Sequence, residues 1–290
     1  MYCLTKYNQY HRCTKMNSLA AQDCKILVFS DIHYASKKPI KSDKKLTHYA
    51  LPVLEKMIAK INEIKPDAAI NLGDLIEDSN NKEQDITDLK IVWNTLKKIN
   101  RPFYSLNGNH DLRTMDSREE VEKIMGYESA TFSVDINGYH FVFLGLDIDH
   151  DMDHAQGGIH RTHNLSKADI EWLKQDLQKN KLPCLIFNHF GFAEDNMTGN
   201  YWFEKNPSNA LLANRKEIKD ILKKTDTVLG VFSGHQHWTK ELHEDGINYY
   251  VVGSLAEDAK GDGVPDGVSL EVDLNRNALS VKEHHLKLDL

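Results

Sequence analysis

Residues 25–33 read KILVFSDIH, an apolar stretch that ends in a carboxylate and an imidazole. The apolar part, 25–30, has the length of a buried β-strand and is rich in Ile, Leu, Val and Phe. Asp31 and His33 follow it directly and are two residues apart, so both can reach one site if the chain turns there. The stretch therefore predicts a buried strand with a ligand site at its carboxyl end.

Four more apolar runs of this kind alternate with helical patterns along the chain. They span 68–72, 102–106, 184–187 and 228–232. Helices are predicted over 47–64, 83–99, 117–125, 167–179 and 209–224. Ser166 is the predicted N-cap of the fourth helix, with Leu165 and Ile170 as a hydrophobic staple. Strands that alternate with helices indicate crossover connections.

Three further strand pairs have the pattern of hairpins. Asn137-Gly138 separates 131–136 from 139–146, and Asp245-Gly246 separates 240–243 from 247–252. Both dipeptides favour the tight turns that match the twist of paired strands. The last pair, 268–274 and 279–286, turns at 275–277. Together these patterns predict an α/β fold, a four-layer α-β-β-α sandwich of two mixed sheets flanked by helices.

The composition excludes some classes of partner. Of the 290 residues, 40% are hydrophobic and 27% are charged, which is ordinary for a globular protein. The formal net charge of −7 gives no bulk attraction to nucleic acid or to an anionic membrane. The four cysteines include no C-x-x-C pair, so a zinc ribbon is not supported.

The expected domain organisation is simple. No apolar stretch approaches the ~20 residues that span a bilayer. Residues 1–23 lack an apolar segment of signal-peptide length. We expect residues 1–24 to form a poorly ordered extension, residues 25–290 to form a single domain, and the protein to be cytoplasmic. The sequence does not indicate an oligomeric state.

Each of the five apolar runs is followed by Asp, Asn or His. The segments are Asp31-Ile32-His33, Gly73-Asp74, Gly108-Asn109-His110-Asp111, Asn188-His189 and Gly234-His235-Gln236-His237. Any one of them has a structural explanation, such as a turn cap or a buried histidine. All five at strand ends favour a metal site, because the carboxyl ends of such strands meet at one edge. Carboxylate and imidazole ligands without thiolate suit Mn²⁺, Fe or Zn²⁺.

In order along the chain, these segments resemble the pattern of the calcineurin-like metallophosphoesterases, which is D-x-H, G-D, G-N-H-[DE], H and G-H-x-H. The resemblance runs from about residue 25 to residue 257. Within the family, 157–173 and 214–235 look like the branch of cyclic-nucleotide phosphodiesterases and ADP-ribose or CDP-alcohol diphosphatases. Phe190 departs from the pattern, since a small residue or proline is expected after His189.

The resemblance implies a dinuclear hydrolase of phosphodiesters or phosphoanhydrides of nucleotide type. It implies a first divalent cation on Asp31, His33 and His237, a second on Asn109, His189 and His235, and Asp74 as the bridge. The identity of the metals, manganese, iron or zinc, stays open. A hydroxide between the cations would attack phosphorus in line. His110, oriented by Asp111, would protonate the leaving group.

Other residues have two interpretations. Arg113 and His160 would contact substrate phosphate or face solvent. The His-rich loop 150–163 is better explained as a solvated loop than as a third metal site. The aromatic residues 201–203 would stack on a base or form the core of an insertion, and the second is favoured. The lysines of 37–45 are expected in a solvated loop, and His284 and His285 in a strand without a role.

Several competing functions remain to be weighed. A phosphomonoesterase or a nucleotide diphosphatase of the same fold stays open, with a small phosphoester as the partner in either case. A purple-acid-type phosphatase is disfavoured because Glu77 stands where such enzymes place a tyrosine. The acidic balance disfavours a nuclease, and neither a nucleic-acid duplex nor a membrane is an expected partner. A non-catalytic metal-binding scaffold would be expected to have lost ligands or His110, and all of them are present.

Overall fold

A computed structural model describes residues 21–37, 44–149, 161–275 and 278–288. Residues 1–20, most of the His-rich loop and the turn residues 276–277 lie outside these ranges. Thirteen strands run through the described residues. They are β1 Cys24–Phe29, β2 Ala68–Asn71, β3 Phe103–Ser105, β4 Phe132–Ile136, β5 Tyr139–Leu144, β6 Asp147–Asp149, β7 Arg161–Asn164, β8 Cys184–Asn188, β9 Val228–Ser233, β10 Lys240–Glu244, β11 Ile247–Val251, β12 Asp266–Asn275 and β13 Ala278–Lys287.

Two mixed sheets are formed. The first has the order β13-β12-β1-β2-β3. Strands β1, β2 and β3 are parallel to one another, and β12 is antiparallel to both of its neighbours, β1 and β13. The second has the order β10-β11-β9-β8-β5-β4, in which β5, β8, β9 and β11 are parallel. The β6-β7 pair is separate and had not been predicted.

Six α-helices connect the strands in the described part of the chain. They are α1 Ala50–Ile64, α2 Lys82–Leu96, α3 Asn109–Leu112, α4 Arg118–Met125, α5 Lys167–Lys179 and α6 Arg215–Leu222, with 3-10 turns at Thr47–Tyr49 and Pro207–Ala210. The predicted cap of α5 is confirmed, because Oγ of Ser166 accepts the Asp169 N–H at 3.0 Å. The staple residues Leu165 and Ile170 are both buried in the core.

Alternate side chains of each buried strand lie in different apolar layers of the fold. In β1, Ile26 and Val28 pack between the sheets, whereas Leu27 and Phe29 belong to the core that includes the helices. Because successive side chains of a strand point to opposite faces, a strand covered on both sides is apolar throughout. This confirms the predicted α-β-β-α sandwich.

An aromatic ladder crosses the second sheet. Its members are register neighbours on β4, β5, β8, β9 and β11, namely Phe132, Phe143, Phe187, Phe232 and Tyr250. Successive ring centroids lie 4.7, 5.0, 5.5 and 4.9 Å apart, with the planes within 22° of each other. Stacked aromatic pairs stabilise a core beyond the area that they bury. The ladder therefore fixes the sheet whose strands β8 and β9 carry three of the site histidines.

The two dipeptide hairpins are confirmed, and one helix boundary is corrected. Asn137-Gly138 and Asp245-Gly246 all have positive φ, as a type I′ turn requires. The helix predicted over 209–224 begins only at Arg215. Leu211 is extended and pairs with Gly191, and the Asn214 side chain hydrogen-bonds the backbone of Leu165. These tertiary contacts outweigh the local helical preference.

Ordered contacts begin slightly before residue 25. The Gln22 N–H donates to the Asn137 carbonyl at 3.0 Å, and Ala21 packs against the apolar layer between the sheets. The division into 1–24 and 25–290 stays a prediction. No helix in the described ranges combines the length and the apolar character needed to cross a bilayer.

Candidate metal centre

The predicted site residues meet at the carboxyl ends of strands from both sheets. Asp31 and His33 follow β1, Asp74 follows β2, Asn109 and His110 open α3 after β3, His189 follows β8, and His235 and His237 follow β9. Backbone hydrogen bonds hold the loops together: the Asp31 N–H donates to the Gly73 carbonyl, and the Gly234 N–H to the His189 carbonyl. Residues more than 200 positions apart in the chain therefore share one rim.

Five of these residues have a left-handed backbone. The φ values are 57° for Asp31, 50° for His33, 52° for Asp74, 65° for His235 and 57° for His237. Each such residue costs on the order of 1–3 kcal/mol and persists only where the surrounding structure imposes it. Strain of this kind concentrates at functional sites, and here it coincides with the candidate ligands.

Two glycines make room for carboxylates. A Cβ on Gly108 would lie 2.1 Å from Oδ1 of Asp74. A Cβ on Gly234 would lie 2.0 Å from Oγ of Ser30 and 2.6 Å from Oδ2 of Asp31. Because φ of Gly108 is −110°, its role is to leave space and not to adopt an unusual conformation.

A first group of ligand atoms comes from Asp31, His33 and His237. Nε2 of His33 and Nε2 of His237 lie 2.9 Å apart. Oδ1 of Asp31 lies 3.6 Å from the first nitrogen and 3.4 Å from the second. All three side chains are buried, with exposed fractions of at most 4%. Three inward-facing ligand atoms at these distances could hold one cation.

A second group comes from Asp74, His189 and His235, whose ligand atoms also lie within 4.8 Å of one another. Nε2 of His189 lies 3.3 Å from Oδ2 of Asp74 and 3.2 Å from Oδ1 of Asn109. The amide oxygen of Asn109 thus joins this group, as the resemblance implies. All four residues are buried.

Asp74 lies between the two groups. Its Oδ2 is 3.7 Å from Nε2 of His33 in one group and 3.3 Å from Nε2 of His189 in the other. Among the described residues, neither this atom nor Oδ1 of Asp31 receives a hydrogen bond, although both are buried. A buried carboxylate oxygen without a donor is costly, and a cation would satisfy it. The oxygen and nitrogen ligands therefore fit two divalent cations.

Two of the histidines are oriented by backbone carbonyls. Nδ1 of His189 lies 2.9 Å from the Leu72 carbonyl oxygen, and Nε2 of His235 lies 3.0 Å from that of Asn209. In each ring the N–H must be on this outer nitrogen, because a carbonyl can only accept. The inner nitrogen then keeps its lone pair for a cation.

The other two histidines are backed by carboxylates. Nδ1 of His237 is hydrogen-bonded to Glu257, which also accepts the indole N–H of Trp202 at 2.8 Å. Nδ1 of His33 lies 2.9 Å from Oε2 of Glu77, in a contact without hydrogen-bond alignment. A carboxylate behind a ligating imidazole fixes its tautomer and raises its basicity.

The charges of the site shift its pKa values in opposite directions. Burial alone would raise the pKa of Asp31 and Asp74, but the neighbouring imidazoles hold both well below their usual range. Burial disfavours the imidazolium form of His189, yet Asp74 raises its pKa to about 9. Glu257 and Asp31 outweigh burial in the same way and raise the pKa of His237 to about 9. A cation that binds there must displace protons, so its affinity is expected to fall with falling pH.

His110 faces the gap between the two groups. Its Nε2 lies 4.0 Å from Oδ2 of Asp74, and its backbone N–H donates to Oδ1 of Asp74 at 2.9 Å. Its Nδ1 lies 2.6 Å from Oδ1 of Asp78. Burial lowers the pKa of His110, and the charge of Lys45 lowers it further.

The prediction that Asp111 orients His110 was wrong. Oδ1 of Asp111 accepts the backbone N–H groups of Leu75 and Ile76 at 2.9 and 3.2 Å, and Oδ2 accepts that of Gly108 at 2.8 Å. The side chains of adjacent helical residues point in different directions, so the Asp111 carboxylate is not directed at the His110 ring. Its carboxylate instead joins the loops after β2 and β3. Burial, reinforced by the Asp74 charge, raises its pKa to about 7.

The predicted substrate contacts are only partly described. Nε of Arg113 lies 3.4 Å from Oδ1 of Asp78, and a third of its side chain is exposed. This places a guanidinium beside His110, and its contact with substrate stays a prediction. His160 lies outside the described residues. Phe190 is fully buried, with its ring centroid 3.9 Å from that of His235, so it packs behind that candidate ligand.

The aromatic residues 201–203 have separate environments. Phe203 packs against Met197 and Leu211, as predicted for the core of an insertion. The Trp202 ring lies 5.6 Å from that of His237, and Tyr201 is 65% exposed. The core interpretation is therefore confirmed for Phe203 and is wrong for Tyr201.

One prediction for the lysines of 37–45 is also corrected. Lys45, expected in a solvated loop, has a side chain that is only 11% exposed and is directed into the site. Lys38 and Lys41 lie outside the described residues. His284, on β13, lies 2.9 Å from Oε2 of Glu271, as expected of a strand residue away from the site.

Residues 24–239 match the family described as Calcineurin-like phosphoesterase, which is most of the chain. A curated relative, a probable glycerophosphodiester phosphodiesterase from Arcobacter nitrofigilis, is 28% identical over 260 residues. The similarity covers 85% of this chain and 87% of the relative. Sequence comparison and strand-end geometry thus agree on the same region.

Solved structures show the same fold. A dimetal phosphatase from Danio rerio is similar with a TM-score of 0.67 and 13% identity, over 89% of this chain and 98% of that one. A purple acid phosphatase from yellow lupin (Lupinus luteus) is similar with a TM-score of 0.63 and 13% identity, over 91% of this chain and 52% of that one. At such low identity the similarity concerns architecture alone.

Proposed function

We propose that this chain, which belongs to the calcineurin-like phosphoesterase family and is a metal-dependent phosphoester hydrolase, cleaves small phosphodiesters. The observation that carries the proposal is the pair of buried carboxylate oxygens of Asp31 and Asp74 that receive no hydrogen bond from the described residues and face imidazole nitrogens. The name of the Arcobacter nitrofigilis relative supports a diester as the substrate. The branch resemblance of 157–173 and 214–235 includes cyclic-nucleotide phosphodiesterases, and it also keeps a diphosphatase as the alternative.

Two divalent cations would be held by the residues of the two groups. Asp31, His33 and His237 would hold one, Asn109, His189 and His235 the other, and Asp74 both. When bound, such cations supply Lewis acidity, lower the pKa of coordinated water and offset charge on phosphoryl oxygens. Manganese, iron and zinc all suit this set of ligands, and we propose manganese for the first assays.

The protein's own residues would act on the leaving group. Hydrolysis forms a bond from water oxygen to phosphorus and breaks one ester bond, and the departing alkoxide needs a proton. We assign this proton to Nε2 of the imidazolium form of His110, which faces Asp74, while Asp78 accepts from Nδ1 of the same ring; a proton of the attacking water would then restore the imidazolium. A proton donor placed in this way contributes roughly 10²–10⁴-fold to the rate.

The test is a substrate panel with the Mn²⁺-loaded protein. It includes bis-p-nitrophenyl phosphate, a glycerophosphodiester, ADP-ribose and p-nitrophenyl phosphate. We expect the diesters to have the highest kcat/KM and a chelator to abolish turnover. Asp74→Asn should lose nearly all activity, whereas the matched change Asp220→Asn, at an exposed site on α6, should retain it.

Three outcomes would overturn the proposal. A higher kcat/KM for the monoester would make the protein a phosphomonoesterase, and a preference for ADP-ribose would make it a diphosphatase. Metal binding without turnover of any of these compounds would favour an interaction scaffold.

A further inference from the structure

A lysine with a largely buried side chain lies beside the candidate metal centre. Residues 44–46 pair with 256–258: Lys45 and Glu257 form an antiparallel bridge, the Leu46 N–H donates to Ala256, and the Asp258 N–H donates to Lys44. This pairing anchors the backbone of Lys45 at the rim of the site. Its side chain is only 11% exposed, which is unusual for lysine.

The ammonium group of Lys45 has three described neighbours. It lies 2.9 Å from Oε2 of Glu77 and 3.3 Å from Nε2 of His110, and 5.3 Å from the centre of the Trp202 ring. Since Asp78 accepts from Nδ1 of His110, Nε2 accepts from Lys45 when the ring is neutral, which is the form that remains after His110 has given its proton to the leaving group. That same Nε2 lies 4.0 Å from Oδ2 of Asp74. A fixed positive charge therefore lies next to the His110 nitrogen that faces the two groups of candidate ligands.

Lys45 has more N–H donors than the described residues offer hydrogen-bond acceptors. An ammonium group has three N–H bonds. Within the described ranges, Glu77 and His110 provide the hydrogen-bond acceptors, and the same Glu77 oxygen also lies 2.9 Å from Nδ1 of His33. A buried charge is costly to hold, and a single shared carboxylate is modest compensation for it. An anionic ligand beside His110 would supply the missing acceptor.

We propose that Lys45 is a substrate-binding residue, whose ammonium group donates a hydrogen bond to a non-bridging oxygen of the phosphoryl group that lies against His110. The inference deepens the proposed hydrolysis and rests on it. Lys45 keeps its protons throughout and acts only by charge and hydrogen bonding. The alternative is that Lys45 merely neutralises Glu77, and the two can be separated by experiment.

The test uses inorganic phosphate as the probe, so that it does not depend on turnover. Calorimetry would measure phosphate binding to the Mn²⁺-loaded full chain, together with its metal content. A charge-assisted hydrogen bond predicts that Lys45→Met weakens phosphate binding about 10- to 150-fold while metal is retained. The adjacent Lys44→Met is the matched control, because its ammonium contacts the Asp258 carbonyl and the Tyr201 ring, and it should bind like wild type.

A double variant separates the two roles and guards against misfolding. In Lys45→Met/Glu77→Gln both members of the buried pair are neutral, which avoids leaving one charge alone. If Lys45 only neutralises Glu77, phosphate affinity returns to the wild-type value in the double variant, and the proposal fails. If Lys45 binds phosphate, the affinity stays low after the double variant has been loaded with Mn²⁺ to the metal content of wild type.

The remaining outcomes are also decisive. Unchanged phosphate binding in Lys45→Met would overturn the inference. The inference would also fail if Lys45→Met lost metal but bound phosphate with wild-type affinity after the metal had been restored. Weaker phosphate binding combined with no hydrolysis of any diester would support Lys45 as an anion ligand. That result would overturn the proposed function and not the inference.

Discussion

Gly108→Ala tests the geometry around Asp74, the proposed bridging carboxylate, most sharply. The added methyl group would lie 2.1 Å from Oδ1 of Asp74, 2.3 Å from its backbone nitrogen and 2.7 Å from its Cγ. Ordinary contacts of a carbon atom are roughly 3.5 Å, so the loops after β2 and β3 must separate by about 1.4 Å. Both loops are buried, and the Asp111 carboxylate accepts backbone hydrogen bonds from both, so little relaxation is available.

The expected cost follows from overpacking of a rigid interior. Overpacking costs typically about 1–3 kcal/mol, and we expect the upper part of that range. For a domain of this size, 1 kcal/mol lowers Tm by about 2–4 °C, so Tm should fall by about 4–12 °C. Asp74 is displaced at the same time, so the variant should also lose most of the increase in Tm that Mn²⁺ gives the wild-type protein.

The assay is a thermal melt with and without Mn²⁺, together with metal analysis. Gly230→Ala is the matched control: it is a buried glycine in β9 whose added methyl group would have its nearest neighbours at 3.4 Å. We expect a change in Tm of only a few degrees in the control and a normal response to Mn²⁺. If Gly108→Ala melts within 1 °C of wild type and responds fully to Mn²⁺, then a glycine at position 108 is not needed to leave room for the Asp74 carboxylate.

Three further predictions concern catalysis, pH and the core. His110→Ala should retain metal but lose about 10²–10⁴-fold in kcat on esters with poor leaving groups, and equal losses on good and poor leaving groups would argue against a role at the leaving oxygen. His140 is buried, and although burial favours its neutral form, Asp135 and Asp176 raise its pKa to about 9. Because the folded pKa is raised, the stabilisation should be complete below the unfolded pKa of about 6.5 and lost as pH rises through about 9. Urea denaturation should then show wild type about 2 kcal/mol more stable than His140→Gln at pH 6 and nearly equal to it at pH 10, whereas a difference independent of pH would exclude the ion pairs. Phe187→Ala removes the centre of the aromatic ladder and should lower the free energy of unfolding by about 3–5 kcal/mol, measured in urea; a loss below about 1.5 kcal/mol would mean that the ladder contributes little.

The candidate ligands could be located from sequence because of where buried parallel strands end. A strand such as β1 is covered on both faces, so it leaves an unbroken apolar run, and the next polar residue marks the rim of the sheet. Asp31 and His189 both follow runs of this kind. The hairpins were also predictable, since Asn137-Gly138 and Asp245-Gly246 are chemically suited to positive φ.

The residues that support the ligands could not be located in this way. Glu257 lies 20 positions beyond His237 and reaches it only because the segment 256–258 pairs with 44–46. Lys45 belongs to a run of lysines that has every local feature of a solvated loop. Burial of its ammonium group depends on Glu77 and Trp202, which are distant in sequence.

The choice between Asp78 and Asp111 as the partner of His110 shows a related difficulty. Asp111 is the sequence neighbour, and a resemblance by pattern naturally assigns the role to it. Three backbone N–H groups already bond to its carboxylate, which leaves Asp78 for the ring. A signal was present in the acidic pair Glu77-Asp78 three and four residues after Asp74, but its meaning depends on the turn that follows β2.

Equilibrium Mn²⁺ binding to the purified chain and to Asp74→Asn would test most directly whether one carboxylate serves two cations. We predict two ions per wild-type chain, and a loss of affinity at both sites in the variant, because Oδ2 of Asp74 lies between His33 and His189. If the variant loses one ion and keeps the other at wild-type affinity, Asp74 belongs to a single site and the dinuclear arrangement described here is wrong.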